Sequence, residues 1–433
     1  MATVEYPRKE PQSNAMLFAA IIIIVGVFAT TLAQPQVLAR IPLQNLLKNE
    51  LHVGREGNAG FFFWIGFPWY LKPFAGVFTD AFPIFGTRRR AYILISTVLA
   101  VVGWIALANA PHQYSTLLWI CLFINTFMVI ASTVIGGYMV EVAQATSGSG
   151  RLTSVRNFVQ QVCTLIQGPA GGYLASIPLA VTGYMCGGIM FLVAPITILF
   201  LIEQRRKTSS AEVLENAGRQ LNNLARAGTM WGAAGLMLLF YLAPGISTGI
   251  FYLQQDVLKL NTQQQGFLTF LSGAGGIVAA LMYGFVCKKF SLRHLLYVCL
   301  FAGTAANIFY LAYNSYSIAQ IIDTFNGWGY TLAELALMDL AIRATPKGNE
   351  GLGFSLMMSV RNLALFGTDK FGSHLLDQKT VSLAMLIILN TLTTFITIPL
   401  VYFLPKRIVD ARDSETPEQL LGAEGPRTAE NKA

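Results

Sequence analysis

The sequence predicts an all-α membrane protein of twelve transmembrane helices in two six-helix halves, with both termini cytoplasmic. Three observations predict it. Charged residues make up 12% of the 433, about half the ~25% typical of soluble domains. Apolar residues make up 54% and the mean hydropathy is +0.53, close to the apolar content that twelve crossings of about 20 residues each require. Those residues fall into runs of spanning length, six on each side of one polar gap. Such a composition excludes an ordinary soluble enzyme, a nucleic-acid-binding protein and a disordered chain.

Taken in order, residues 1–15 form a polar cytoplasmic tail. The first half, 16–202, holds runs at 16–40, 57–77, 90–110, 115–140, 152–175 and 179–202. No convincing cleavage site follows the first run, so it reads as a retained helix. The gap at 203–228 carries Arg205, Arg206, Lys207, Arg219 and Arg226, with Val213, Leu214, Leu221 and Leu224 at near-helical spacing. Two readings fit it: a basic amphipathic segment on the inner membrane surface, or a solvated linker. The second half, 229–405, holds runs at 229–253, 265–287, 294–313, 317–342, 352–375 and 380–404. The polar tail 406–433, with Pro417 and Pro426, is predicted to be disordered.

Lys and Arg set the orientation. With the N-terminus inside, the inner segments hold 21 of the 30 basic residues. The outer segments hold Arg40, Lys48, Arg55, Lys259 and Lys379, and four more, Lys72, Arg156, Arg361 and Lys370, fall within helices. The net charge of +8 follows from this inner excess and does not require an anionic partner. Cys121, Cys163, Cys186, Cys287 and Cys299 lie in or beside apolar runs without metal-site spacing, and no disulfide framework is expected. The four histidines make no metal pattern. No GxxxxGK[ST] loop is present, which disfavours ATP-driven transport.

The halves repeat. Ser154-Val155-Arg156-Asn157 recurs as Ser359-Val360-Arg361-Asn362, 205 residues later. Gly76-Val-Phe-Thr-Asp80 through Arg88-Arg89-Arg90 has a weaker echo at Gly284-Phe-Val-Cys-Lys288-Lys289 through Arg293, offset by 208. Parallel repeats of this kind are one architecture of secondary transporters.

The loop Gly76-x-x-x-Asp80 followed by Gly86-x-Arg88-Arg89, placed after the second helix, resembles the signature loop of the major facilitator superfamily. Lys72-Pro73-Phe74-Ala75-Gly76, Phe82-Pro83-Ile84-Phe85-Gly86, Ala344-Thr-Pro346-Lys-Gly348-Asn-Glu350 and Ser359-Val-Arg-Asn362 together resemble the folate–biopterin transporter family. The resemblance implies a twelve-helix transporter. It also implies a gating role for Lys72, Gly76, Asp80, Gly86, Arg88, Arg89 and Glu141, with Asp80 meeting the start of helix eleven near Gly351. The chain departs from it in helix four, where members commonly carry aspartates and this sequence has Ser132 and Gly136. Gly168-Pro169-Ala170-Gly171-Gly172 is similar to the glycine–proline motif of drug antiporters, yet close packing of small residues is the expected role.

A charge inside a membrane costs at least ~2.5–3.5 kcal/mol on insertion scales, so each intramembrane charge marks a candidate site. Asp323, Asn326, Tyr330 and Glu334 share one face of helix ten. Helix eleven carries Arg361, Asn362, Asp369 and Lys370. The rise of ~1.5 Å per residue lets Glu334 pair with Arg361 and Asp323 with Lys370. Arg156 and Asn157 join this substrate or coupling set through the repeat. Arg156 falls near the inner boundary, and Lys72 either serves the gate or snorkels to the inner surface. These pairs either only hold helices together or are contested by a ligand or proton. The aromatics of helix two, with Trp328 and Tyr330, either stack on a flat heteroaromatic cargo or anchor in lipid.

The expected function is secondary active transport by alternating access, proton-coupled, of a small organic anion such as a folate or pterin. An antiporter or permease for a drug, sugar or cell-wall fragment stands as the alternative, and behind it a non-transporting receptor. The expected partners are a small-molecule substrate, a proton and the lipid bilayer, with no nucleic acid, no metal and no cofactor. No enzymatic activity is expected. A monomer in the plasma (inner) membrane is expected.

Overall fold

The computed structural model describes residues 12–146, 149–201, 203, 210–287, 289–346 and 350–410. They are mostly helical, in nineteen α-helices and two short 3-10 helices among the described residues. Six segments are long and apolar enough to cross a membrane: Arg90–Ala108, Tyr114–Met139, Leu179–Phe200, Thr262–Val286, Leu292–Ala312 and Leu383–Phe403. The other expected spans differ for identifiable reasons. The second is broken into α3 (Arg55–Ile65), α4 (Phe67–Tyr70) and α5 (Lys72–Ala81), with Pro68 and Pro73 opening the last two, a position proline tolerates. The seventh breaks at Pro244 between α12 (Gly228–Tyr241) and α13 (Ser247–Asp256). The fifth, tenth and eleventh are long helices, α8 (Ser149–Leu174), α16 (Tyr316–Ala344) and α17 (Glu350–Asp377), whose polar residues lower their hydropathy. The first run ends early: α1 (Gln12–Leu32) stops before Pro35, and α2 (Arg40–Asn49) follows.

The remaining helices are α6 (Arg90–Ala108), α7 (Tyr114–Thr146), α9 (Leu179–Phe191), α10 (Val193–Phe200), α11 (Ser210–Arg226), α14 (Thr262–Val286), α15 (Leu292–Ile308), α18 (Leu383–Leu400) and α19 (Lys406–Val409). Local chemistry sets several starts. Asn261 and Gln264 form a reciprocal capping box on α14, and Ser382 accepts from Met385 N–H at the start of α18, each satisfying amides that no helical carbonyl reaches.

One core draws only on residues between Ile22 and Leu201, and a second only on residues between Leu224 and Val409. The sides away from these cores keep apolar stripes, such as Val98, Val102 and Ile105 on α6 and Ile388, Leu392 and Phe395 on α18. Continuous exposed apolar surface of this kind suits lipid. The two halves meet along two seams, α8 against α14 and α3 against α17. On the first, a Cβ added to Gly266 would sit 2.4 Å from the Gly168 carbonyl oxygen, and one on Gly172 would sit 2.6 Å from that of Thr262. The glycine-rich stretch of α8 is therefore a backbone-to-backbone seam. The α11 helix turns Leu224 into the second core while Leu214 and Leu221 stay exposed.

Candidate functional site

The breaks in α3–α5 free backbone carbonyls inside an apolar bundle, where each must find a donor. The Ile65 carbonyl accepts from Asn125 Nδ2 at 2.7 Å and that of Phe63 from Tyr70 Oη at 2.9 Å. Asn125 also accepts from Trp69 Nε1 at 3.1 Å. The kink turns the next residue, Lys72, toward α7. Its ammonium donates to Ser132 Oγ at 3.1 Å and lies 5.1 Å from the Trp69 ring. Ser132 stands where the resemblance expects an acid, so Lys72 meets a hydroxyl. Arg156, on α8, lines a small polar pocket with Thr30, Ser132, Gly136 and Gln160.

In the second half, Arg361 Nη2 meets the carboxylate of Glu334, and Arg361 Nη1 donates to Asn362 at 2.9 Å. The guanidinium also lies 5.1 Å from the Tyr241 ring, which packs edge-on against Tyr330. Glu334, Tyr330, Arg361 and Asn362 thus form one cluster with Tyr241, which the sequence reading did not single out. Its signal was an aromatic at the end of α12, just before the Pro244 break.

The expected Asp323–Lys370 pair does not form. Asp323 is 6% exposed and accepts from Tyr310 at 2.9 Å and Tyr313 at 2.6 Å. The N-terminal part of α16 faces the turn just after α15, where those phenols lie, and not α17. Lys370 instead lies 5.6 Å from the Phe63 ring and 5.7 Å from that of Trp64, a favourable place for a cation. Asp369 accepts from Thr248 N–H at 3.0 Å and Oγ1 at 2.7 Å, capping α13 across the Pro244 break. Asn326 donates to Asn307 at 3.0 Å, Asn307 to Asn390 at 2.9 Å and Asn390 to the Pro244 carbonyl at 2.8 Å. That chain ties α15, α16 and α18 to the break and keeps Asn326 within its own half. The side chains of Glu141 and Asn157 lie outside the described residues.

The loop after α5 owes its shape to Gly86. Ile84 and Thr87 exchange backbone hydrogen bonds at 3.0 and 2.9 Å around Phe85 (φ 51°) and Gly86 (φ 75°), a tight turn with two left-handed residues. Asp80 receives Arg89 Nη1 at 2.8 Å, and Arg89 lies against Gly137, where a Cβ would come within 2.7 Å. The expected partner Gly351 begins α17, where its surroundings lie outside the described residues; α5 does pack against α17. Gly76 faces Thr133 at 3.4 Å for an added Cβ. The backbone amides of Arg88, Arg89 and Arg90 all donate to Glu203, at 2.7 to 3.1 Å. Glu203 thus places a carboxylate on the start of α6, a role the sequence reading missed. The only signal was an acid directly after the sixth run.

Polar ties between the halves gather at one end, where α3 begins and α13 and α17 finish. Lys48 meets Asp256 at 2.5 Å, Arg55 meets Asp377 at 3.4 Å, and Asp377 also accepts from Glu56 N–H at 2.8 Å. His374 Nδ1 lies 2.8 Å from Glu56, and Tyr252 donates to the Val53 carbonyl at 2.5 Å. These residues form a latch. At the opposite end the pairs Arg89–Asp80, Arg293–Asp410 and Arg343–Asp339 each join residues of the same half.

Solved structures share this architecture. A D-xylose–proton symporter matches with a TM-score of 0.65 at 11% identity, over 93% of this chain and 99% of the other. A nucleoside transporter matches with a TM-score of 0.64 at 9% identity, over 90% and 98%. In sequence, a folate-biopterin transporter of Synechocystis sp. is 24% identical over 411 residues, covering 88% of this chain and 81% of the relative. Folate transporter 1 of Plasmodium falciparum is 22% identical over 391 residues, covering 86% and 77%. The model of the BT1 family matches residues 33–420. With both seams, the broken second and seventh helices and the signature loop inside that match, the chain is an integral, multi-pass membrane protein that belongs to the BT1 family.

Proposed function

We propose that the protein is a proton-coupled secondary transporter of folate- or pterin-type organic anions, working by alternating access. The names of its relatives supply the cargo class. One observation carries the mechanism: Arg361, deep in α17, is held by Glu334 beside Tyr241 and Tyr330. Protonation of Glu334 would release the guanidinium for a cargo carboxylate, so proton entry and cargo capture would compete for one cation. Asp323 offers a second proton site, since its oxygens meet phenols and no cation among the described residues.

In this reading twelve segments span the plasma (inner) membrane, both termini are cytoplasmic and one chain suffices. The latch of Lys48, Arg55, Asp256 and Asp377 then closes the outer side. Rocking of residues 16–202 against 229–405 would open it.

The test is uptake by purified protein in sealed proteoliposomes under an inward proton gradient. Saturable uptake of folate or a pterin, abolished by a protonophore, is expected. Uptake of a sugar with none of any pteridine would overturn the cargo. Pteridine uptake indifferent to the protonophore would remove proton coupling and leave transport.

A further inference from the structure

Arg156 and Arg361 occupy matching positions of the repeated Ser-Val-Arg-Asn motif, yet their surroundings differ. Arg361 has Glu334. At the same offset of 205 residues, the position matching Glu334 is Val129, and α7 carries no acidic residue from Tyr114 to Met139. Among the described residues Arg156 has no carboxylate partner, and neither has Lys72. The two cations are close enough to repel each other. Lys72 reaches Ser132, Ser132 and Arg156 line the same pocket, and a Cβ on Gly136 would meet nothing within 4 Å.

Two like charges held together inside an apolar bundle are costly unless an anion joins them. The pocket has space for little more than a water-sized group, so it suits a carboxylate and not a bicyclic ring. A ring would have to lie elsewhere, and Tyr70 of the first half against Phe366 of the second, with centroids 6.4 Å apart, offers flat surfaces where the halves meet. We propose that Lys72 and Arg156 form an anion subsite for the acidic tail of the cargo, so that the protein selects pteridines bearing carboxylates over bare pteridines. This rests on the transport reading above and adds to it: Arg361, once freed from Glu334, takes one carboxylate of the tail, and Lys72 with Arg156 takes a second.

The experiment measures binding and uptake of folate, which carries a glutamate tail, and of a tail-less pterin by full-length protein in proteoliposomes. The wild type should favour folate at least tenfold. Lys72→Gln and Arg156→Gln should each weaken folate about tenfold while leaving the pterin unchanged, and the double variant should keep only the preference that Arg361 supplies. Lys72→Arg and Arg156→Lys should keep the preference, which separates charge from fold. Glu141→Gln, which removes the acidic residue of α7, should leave the preference unchanged. A loss of preference matching that of Arg156→Gln would make Arg156 half of an ion pair and overturn the subsite. Equal weakening of both ligands, or of neither, would also overturn it while transport stood. A wild type that takes up no pteridine would overturn the functional reading and the subsite together.

Discussion

Gly266 is the point at which a single carbon should bias the whole transport cycle. A Cβ there would lie 2.4 Å from the Gly168 carbonyl oxygen and 2.9 Å from the Gly172 Cα, where ordinary contact begins at 3.4 Å. Both neighbours are backbone, so no side chain can rotate aside, and α8 and α14 must separate by about 1 Å. Overpacking of this kind costs ~1–3 kcal/mol. The cost falls only on the state in which this seam is closed, so Gly266→Ala should shift the closed-to-open ratio at the latched end by ~5–150-fold. Gly266→Leu should shift it further. Spin labels at Ser176 and Val257, exposed residues in the loop after α8 and just after α13, report the separation in a background lacking the five native cysteines. Wild type should favour the short distance, and both variants should move toward the long one while transport slows. Gly284→Ala, on the same helix with nothing within 4 Å of its Cβ, should change neither. A Gly266→Leu protein of normal abundance, distance distribution and transport would refute the seam as a moving contact.

Three further outcomes are expected. Glu334→Gln or Arg361→Gln alone leaves a buried charge unpaired and should destabilise by ~3–5 kcal/mol, read as lost membrane abundance. The double variant should recover abundance but not proton-driven uptake, and full uptake would reduce the pair to a strut. Asp80→Asn should keep abundance and slow transport, whereas Glu203→Gln, which weakens the carboxylate at the start of α6, should lower thermal stability by ~1 kcal/mol without changing cargo affinity. The reverse pattern would exchange the gating and structural roles. Tags at residue 215 and at the C-terminus should both report cytoplasmic and a tag at His112 external; an external 215 would break the proposed topology.

Hydropathy sufficed to predict a helical membrane protein, and a charge in an apolar run is conspicuous without any structure, which picked out Glu334, Arg361, Lys72 and Arg156. The transporter reading came from the resemblance of the Gly76–Arg89 loop and its neighbouring motifs to a known family. Partners were less legible. Heptad-like spacing places Asp323 and Glu334 on one helical face, but α16 touches α17 near Glu334 and the turn just after α15 near Asp323, so one carboxylate finds an arginine and the other two phenols. Asp369 caps a helix and Lys370 lies against aromatic rings for the same reason: adjacent residues on α17 point about 100° apart, toward different neighbours. The latch, Glu203 and the glycine seam join residues far apart in the chain, such as Lys48 with Asp256 and Gly168 with Gly266. Composition and periodicity are local quantities, whereas these contacts exist only once packing has set which helices meet and at what depth.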